Sequence, residues 1–192
     1  MNTQPKLVIV RGVPGSGKSY IATTLAAELG RDMVCMLDPD TVDLDGDVKY
    51  RQLASQLASE GVDEKFHLYR YLRAQAYEAI EQGKILLWNQ PFIDLKGFEI
   101  TVNRLKDYAA EHGRELPVLV VEVQVPENTA RARVKKRKQD GGHGPTDEVL
   151  ERFLREYRSF ADNGYDTCLV DGEGDVTASV VQVVARIDQL NS

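Results

Sequence analysis

Three features of the sequence predict a three-layer, doubly wound α/β fold built on a parallel five-stranded sheet. Short aliphatic runs rich in β-branched residues recur at 7–10, 33–37, 85–88, 118–125 and 167–170, giving five candidate strands. Longer segments with apolar residues at helical spacing lie between them, at 18–29, 64–81, 95–111, 129–138 followed by 147–160, and 176–190. The strand runs, such as Lys84-Ile85-Leu86-Leu87-Trp88, lack a strict period of two, as expected of strands covered by helices on both faces. A βα alternation closed by right-handed crossovers makes the sheet parallel.

Boundary residues support each element in turn. Gly30 closes the first helix, Gly83 precedes the third strand, Pro126 follows the fourth, and Asp175 or Thr177 opens the last helix. On the helix over 64–81, Phe66, Tyr69, Leu72, Arg73, Ala76, Tyr77 and Ile80 recur at helical intervals and read as a core face. Trp88 reads as packing. The run Asp140-Gly141-Gly142-His143-Gly144-Pro145-Thr146 is glycine-rich and lies between two helices, which predicts a mobile loop. Cys35 and Cys168 each sit in an apolar run, far apart in sequence, as buried thiols do.

At 192 residues, 42% of them hydrophobic, residues 1–192 are expected to form a single domain around one core. The formal net charge of -6 disfavours binding along extended nucleic acid, while a short oligonucleotide end stays open. No segment is long enough to span a bilayer, and the N-terminal run carries no signal-peptide pattern, so a cytoplasmic location is expected.

The chemistry centres on Gly12-Val13-Pro14-Gly15-Ser16-Gly17-Lys18-Ser19, a full match to G-x-x-x-x-G-K-[ST]. Four fixed positions match by accident in roughly one chain in a few hundred of this length. Here the match also follows a strand and opens a helix, the context the motif requires. The glycines let backbone N–H groups converge on phosphate oxygens, and the helix N-terminus adds unpaired donors and a favourable dipole. Lys18 is a mobile cation for the β and γ phosphates, Ser19 a hydroxyl ligand for Mg²⁺, and Ser16 is expected to act through its backbone N–H. A dinucleotide fingerprint fails, because Tyr20 stands where glycine or alanine is needed. Histidines and cysteines are not grouped at metal-ligand spacing, and no G-x-S-x-G is present.

With this motif, the βα alternation and a basic helix running into a glycine-rich insert, the chain resembles P-loop kinases of the zeta-toxin-like and polynucleotide-kinase-like group. That resemblance implies strand order 2-3-1-4-5, a small lid at about 139–146 after the fourth strand, and ATP with Mg²⁺ as ligands. It further implies transfer of the γ-phosphoryl group to a hydroxyl of a small-molecule or nucleotide-type acceptor. In Asp38-Pro39-Asp40, after the second strand, it makes Asp40 the base toward the acceptor and places Asp38 on the metal side. In the basic helix from Arg131 to Lys138 it assigns Arg133 and Arg137, four residues apart on one face, to the phosphates. His143 stands in the lid, open to substrate contact.

Two departures bear on function. Asp43 stands where a basic residue is common in this group, which disfavours an anionic acceptor there, and the third strand ends Asn89-Gln90 without the usual carboxylate. Metal support then falls to Ser19 and Asp38, with Asn89 or Gln90 free to meet the acceptor. The missing carboxylate also keeps open a nucleotide-dependent switch that hydrolyses ATP slowly, and the basic helix keeps open a polynucleotide 5′-end kinase. Choice of base, acceptor and oligomeric state are not written in these motifs.

Overall fold

A computed structural model describes residues 4–142 and 144–190, so His143 lies outside the described residues. The sheet has five parallel strands in the order β2-β3-β1-β4-β5: β1 (Lys6–Arg11), β2 (Val34–Leu37), β3 (Ile85–Asn89), β4 (Val118–Gln124) and β5 (Asp166–Asp171). The expected order and parallel sense are both observed.

Helices cover both faces because the central strands are apolar on both. On one side α3 (His67–Glu81) and α4 (Leu95–Glu111) pack Leu72, Ala76, Ile80, Phe98, Val102 and Leu105 against Leu7, Ile9, Leu86 and Val120. On the other, α1 (Lys18–Leu29) and α7 (Val176–Gln189) pack Ile21, Leu25, Val180, Val183 and Ile187 against Val8, Val10, Leu119 and Val121. Each of these strand residues is fully buried. Removing such side chains from water, at about 25 cal/mol per Å² of apolar surface, is what stabilises the three layers.

The helix α2 (Val48–Ser59) is an element that the sequence reading left out. Its KYRQLASQLAS pattern buries Leu57 alone, too little for an apolar stripe. It is fixed instead by its ends: Asp47 caps it by accepting from Tyr50 N–H, and Tyr50 meets the Tyr71 ring of α3 edge-on at 5.5 Å.

After β4 come α5 (Glu127–Gln139) and α6 (Asp147–Glu156), joined by the glycine-rich loop. The expected helix over 147–160 stops at Glu156, four residues early. Residues 157–160 leave the helix because Tyr157 and Phe160 turn inward onto Arg11, whose guanidinium carbon lies 4.2 and 3.6 Å from their ring centres. Cys168 is buried and Cys35 half-buried; both thiols are free, and burial pushes both of their pKa values up.

Candidate functional site

The site forms where β1 ends and α1 begins. Gly12 and Gly15 are required by close approach: a Cβ on Gly12 would stand 2.7 Å from the Val123 carbonyl oxygen, and one on Gly15 2.5 Å from that of Ala130. Gly15 and Gly17 also have φ of 85° and 95°, the left-handed region in which a Cβ is strained. The contact at Gly15 lets the backbone of α5 press on the loop, which fixes where the basic helix lies. The Ser16 N–H, expected to face phosphate, donates to the Val13 carbonyl (3.0 Å), while its buried hydroxyl accepts from the Lys18 N–H at 3.3 Å.

Lys18 sits close to both carboxylates of the Asp38-Pro39-Asp40 turn. Burial pulls its pKa below the ordinary lysine value; Asp40 and then Asp38 oppose that, and nearby Arg137 adds to it. Asp38 is buried, with Oδ1 accepting from the Asp40 N–H at 2.9 Å. Asp40 is exposed and lines the cavity beside the loop.

Asn89, at the end of β3, joins the two candidate metal-side residues. Its Nδ2 donates to Asp38 Oδ2 at 2.6 Å and to Ser19 Oγ at 3.1 Å, and its buried Oδ1 has no partner among the described residues. The Ser19 hydroxyl and the Asp38 carboxylate, brought together by this amide, are hard oxygen donors of the kind that Mg²⁺ takes, directly or through water. The only sequence signal for this was its position at the end of the strand.

The two arginines assigned to phosphate are separated by the fold. Arg137 lines the cavity with Lys18. Arg133 Nη1 donates to the carbonyls of Gly15 and Ser16, each at 3.3 Å, and of Gly172 at 3.0 Å. A peptide N–H points opposite to its C=O, so Arg133 holds the loop from its outer side and draws electron density away from the N–H groups of Ser16 and Gly17. Of the remaining basic residues, Arg131 pairs with Glu127 and Glu151 and Lys138 with Asp147, tying α5 to α6.

A cavity of about 1250 Å³ opens from Pro14, Lys18 and Ser19 and extends past Asp40 to a wall of Trp88 and Phe92, with Pro145, between α5 and α6, and Val149 and Phe153 of α6 also lining it. Single-ligand pockets run to roughly 1,000 Å³, so this one has room for two molecules. Phe66 and Tyr69, expected in the core, are 50% and 46% exposed and line its mouth; Arg73, one turn beyond Tyr69, lines it too. Trp88 is both buried and part of the wall.

The residue that sequence reasoning missed entirely is Arg11. It is fully buried, paired with the equally buried Glu122 at the facing position of β4. It also donates to the carbonyls of Phe92 (2.8 Å) and Arg158 (2.9 Å). Phe92 has φ of 40°, the one positive value at a non-glycine position among the described residues. One guanidinium thus holds the start of the phosphate loop, the cavity wall and the segment leaving α6.

The sheet order and phosphate loop are those of the P-loop kinase fold. The family model described as "AAA domain" matches residues 7–160, and the chain belongs to that family. No curated protein matches the sequence at a significant level. Among solved structures, a Chloroflexus aurantiacus protein provisionally named a kinase is 19% identical, with a TM-score of 0.68 over 95% of this chain and 98% of its own. A gluconokinase from Sinorhizobium meliloti 1021 is 16% identical, with a TM-score of 0.57 over 99% and 95%. The Pnkp1/Rnl/Hen1 RNA repair complex contains a chain that is 17% identical, with a TM-score of 0.58 over 86% of this chain and 48% of its own. At such identities the likeness is one of fold.

Proposed function

We propose that this protein is an ATP-dependent kinase that moves the γ-phosphoryl group of Mg·ATP to an acceptor hydroxyl. The observation that carries this is the continuity of one cavity of about 1250 Å³ from the phosphate loop, past Asp40, to the Trp88 and Phe92 wall, more room than one ligand takes. A protein that only binds or hydrolyses nucleotide has no use for that further room.

The triphosphate tail lies against the loop of residues 12–19 and the N-terminus of α1, with the Lys18 ammonium on the β and γ oxygens. Ser19 and Asp38, with Asn89 between them, would hold Mg²⁺, which would supply positive charge to the triphosphate. Asp40 orients the acceptor hydroxyl and takes its proton as the new O–P bond forms and the bond from Pγ to the β–γ bridging oxygen breaks, releasing ADP. Arg137 covers the transferring oxygens, and the 139–146 lid with α6 excludes water that would compete as acceptor. Arg133 acts through the loop it holds. Residues 1–192 work as one domain in the cytoplasm.

One observation favours a second reading. The amide of Asn89 where a carboxylate is usual suits a switch that hydrolyses ATP slowly and signals by changing shape. Offering γ-labelled ATP with a panel of nucleosides, nucleotides, sugars, other metabolites and oligonucleotide 5′ ends separates the two. Acceptor-stimulated ADP release with label on the acceptor supports the kinase, label on an oligonucleotide end makes it a polynucleotide kinase, and label in inorganic phosphate alone overturns it.

A further inference from the structure

We infer that the acceptor is a ring-shaped molecule carrying an anionic group, a phosphate or a carboxylate, held by Arg73, Arg104 and Arg152; this rests on the kinase reading. The starting point is a charge imbalance. Among the described residues, five cations line the cavity: Lys18, Arg73, Arg104, Arg137 and Arg152. Two carboxylates oppose them, Asp40 and Asp94, in a chain whose net charge is -6. Asp94 is already committed, accepting from the N–H groups of Lys96 and Gly97 as the cap of α4. The nucleotide phosphates account for Lys18 and Arg137. The three remaining arginines come from α3, α4 and α6 and make no ion pair or side-chain hydrogen bond with a described residue.

Asp43, whose sequence position disfavours an anionic acceptor, is turned onto its own loop, where Oδ1 accepts from the Gly46 N–H at 2.8 Å. Asp43 does not line the cavity, so its carboxylate does not stand among the arginines.

The wall between them selects the body of the molecule. It presents Phe66 and Tyr69 half-exposed at the mouth and Trp88 and Phe92, 6.3 Å apart, deeper in. Part of the neutral polar capacity beside them is used: Gln90 Oε1 accepts from the Trp88 indole at 3.0 Å, and the Thr101 hydroxyl donates to the Gly97 carbonyl at 3.0 Å, leaving chiefly the Gln90 NH₂ and Asn89 Oδ1 for a ligand's hydroxyls. A polyol would bury hydroxyls against rings with few free partners, at a cost for each one left unpaired. A flat ring stacks there, while guanidinium groups pair bidentately with a phosphate or carboxylate.

Trp88 is the chain's only tryptophan, so its emission reports on this compartment. With the nucleotide site filled by a non-hydrolysable Mg·ATP analogue, uridine 5′-monophosphate is titrated against uridine, 4-hydroxymethylbenzoate against 4-hydroxymethylbenzamide, and gluconate alone. In at least one ring pair the charged member is expected to bind ten-fold or more tightly than the neutral one, and the pair that does so distinguishes phosphate from carboxylate. Arg73→Gln and Arg104→Gln should each erase most of that preference while leaving the analogue's Kd within two-fold. Neutral members binding as tightly as charged ones, gluconate binding more tightly than both ring anions, or neither ring anion binding while the analogue does, would each overturn the inference. The last outcome leaves the phosphate loop's role intact, since analogue binding is read separately.

Discussion

The Asn89 side chain donates one hydrogen bond to Asp38 Oδ2 at 2.6 Å and another to Ser19 Oγ at 3.1 Å, so the ends of β3 and β2 and the first turn of α1 meet in one amide. Asn89→Asp replaces this donor with a second carboxylate beside a buried one. Like charges at this distance destabilise the metal-free protein by roughly 1–3 kcal/mol, which lowers Tm by several degrees. Mg²⁺ should restore most of the loss, and should do so more strongly than in the parent. Calorimetric melts with and without Mg²⁺ check this; equal Tm shifts in both proteins would remove Asn89 from the metal side.

Lys18 is held charged in a place that disfavours its charge. Lys18→Met should therefore abolish phosphoryl transfer while raising the Tm of the ligand-free protein by about 2–4 °C, if the relief is about 1 kcal/mol. The pH dependence follows in sign. A lysine whose folded pKa lies below its ordinary value binds fewer protons folded than unfolded between those two values. Its destabilising contribution is thus complete at low pH and fades as pH rises through the folded value. Affinity for the triphosphate runs the other way, falling as the ammonium deprotonates. Melts and nucleotide titrations at alkaline pH, on parent and Lys18→Met, measure both slopes.

Arg11 and Glu122 make the deepest ion pair. Arg11→Met strands a buried carboxylate and should cost roughly 3–5 kcal/mol, read from urea midpoints at constant slope. Glu122→Gln added to it should recover part of this, because the Phe160 N–H can still donate to the amide oxygen and the amide NH₂ can donate to the Ser159 hydroxyl. A double variant less stable than Arg11→Met would show that the pair itself is not the cause.

Arg133→Ala should loosen the phosphate loop without unfolding the chain. Amide hydrogen exchange at residues 15–17 is expected to speed up by ten-fold or more, with weaker nucleotide binding and a Tm within a few degrees of the parent. Unaltered exchange there would mean that the three carbonyl contacts do not hold the loop.

How much was legible in the sequence depended on how local each cause was. The phosphate loop is a set of fixed identities in eight residues, and the strand runs are continuous apolar segments, so both were visible. Asp38 and Asp40 were singled out through the resemblance, by their place after the second strand, and both act on Lys18 in the fold. Arg11 was not, since a lone arginine ending a strand looks solvated until Glu122, Tyr157 and Phe160 arrive from more than a hundred residues away. The early end of α6 has the same remote cause. Asn89 was read as an absence of charge, while its neighbours make it a bridge. Arg133 and Arg137 share a helix face by spacing, yet only the close contact of Ala130 with Gly15 decides that one reaches the loop's carbonyls and the other the cavity.

Phosphoryl transfer by this protein requires the loop of residues 12–19 and the first amides of α1 to receive a triphosphate. Amide NMR during a Mg·ATP titration tests this most directly. Saturable shifts confined mainly to Gly15, Gly17, Lys18 and Ser19, and lost in folded Lys18→Met, are the predicted result. Resonances that stay in place at millimolar Mg·ATP, in a protein whose dispersion shows it folded, would contradict it.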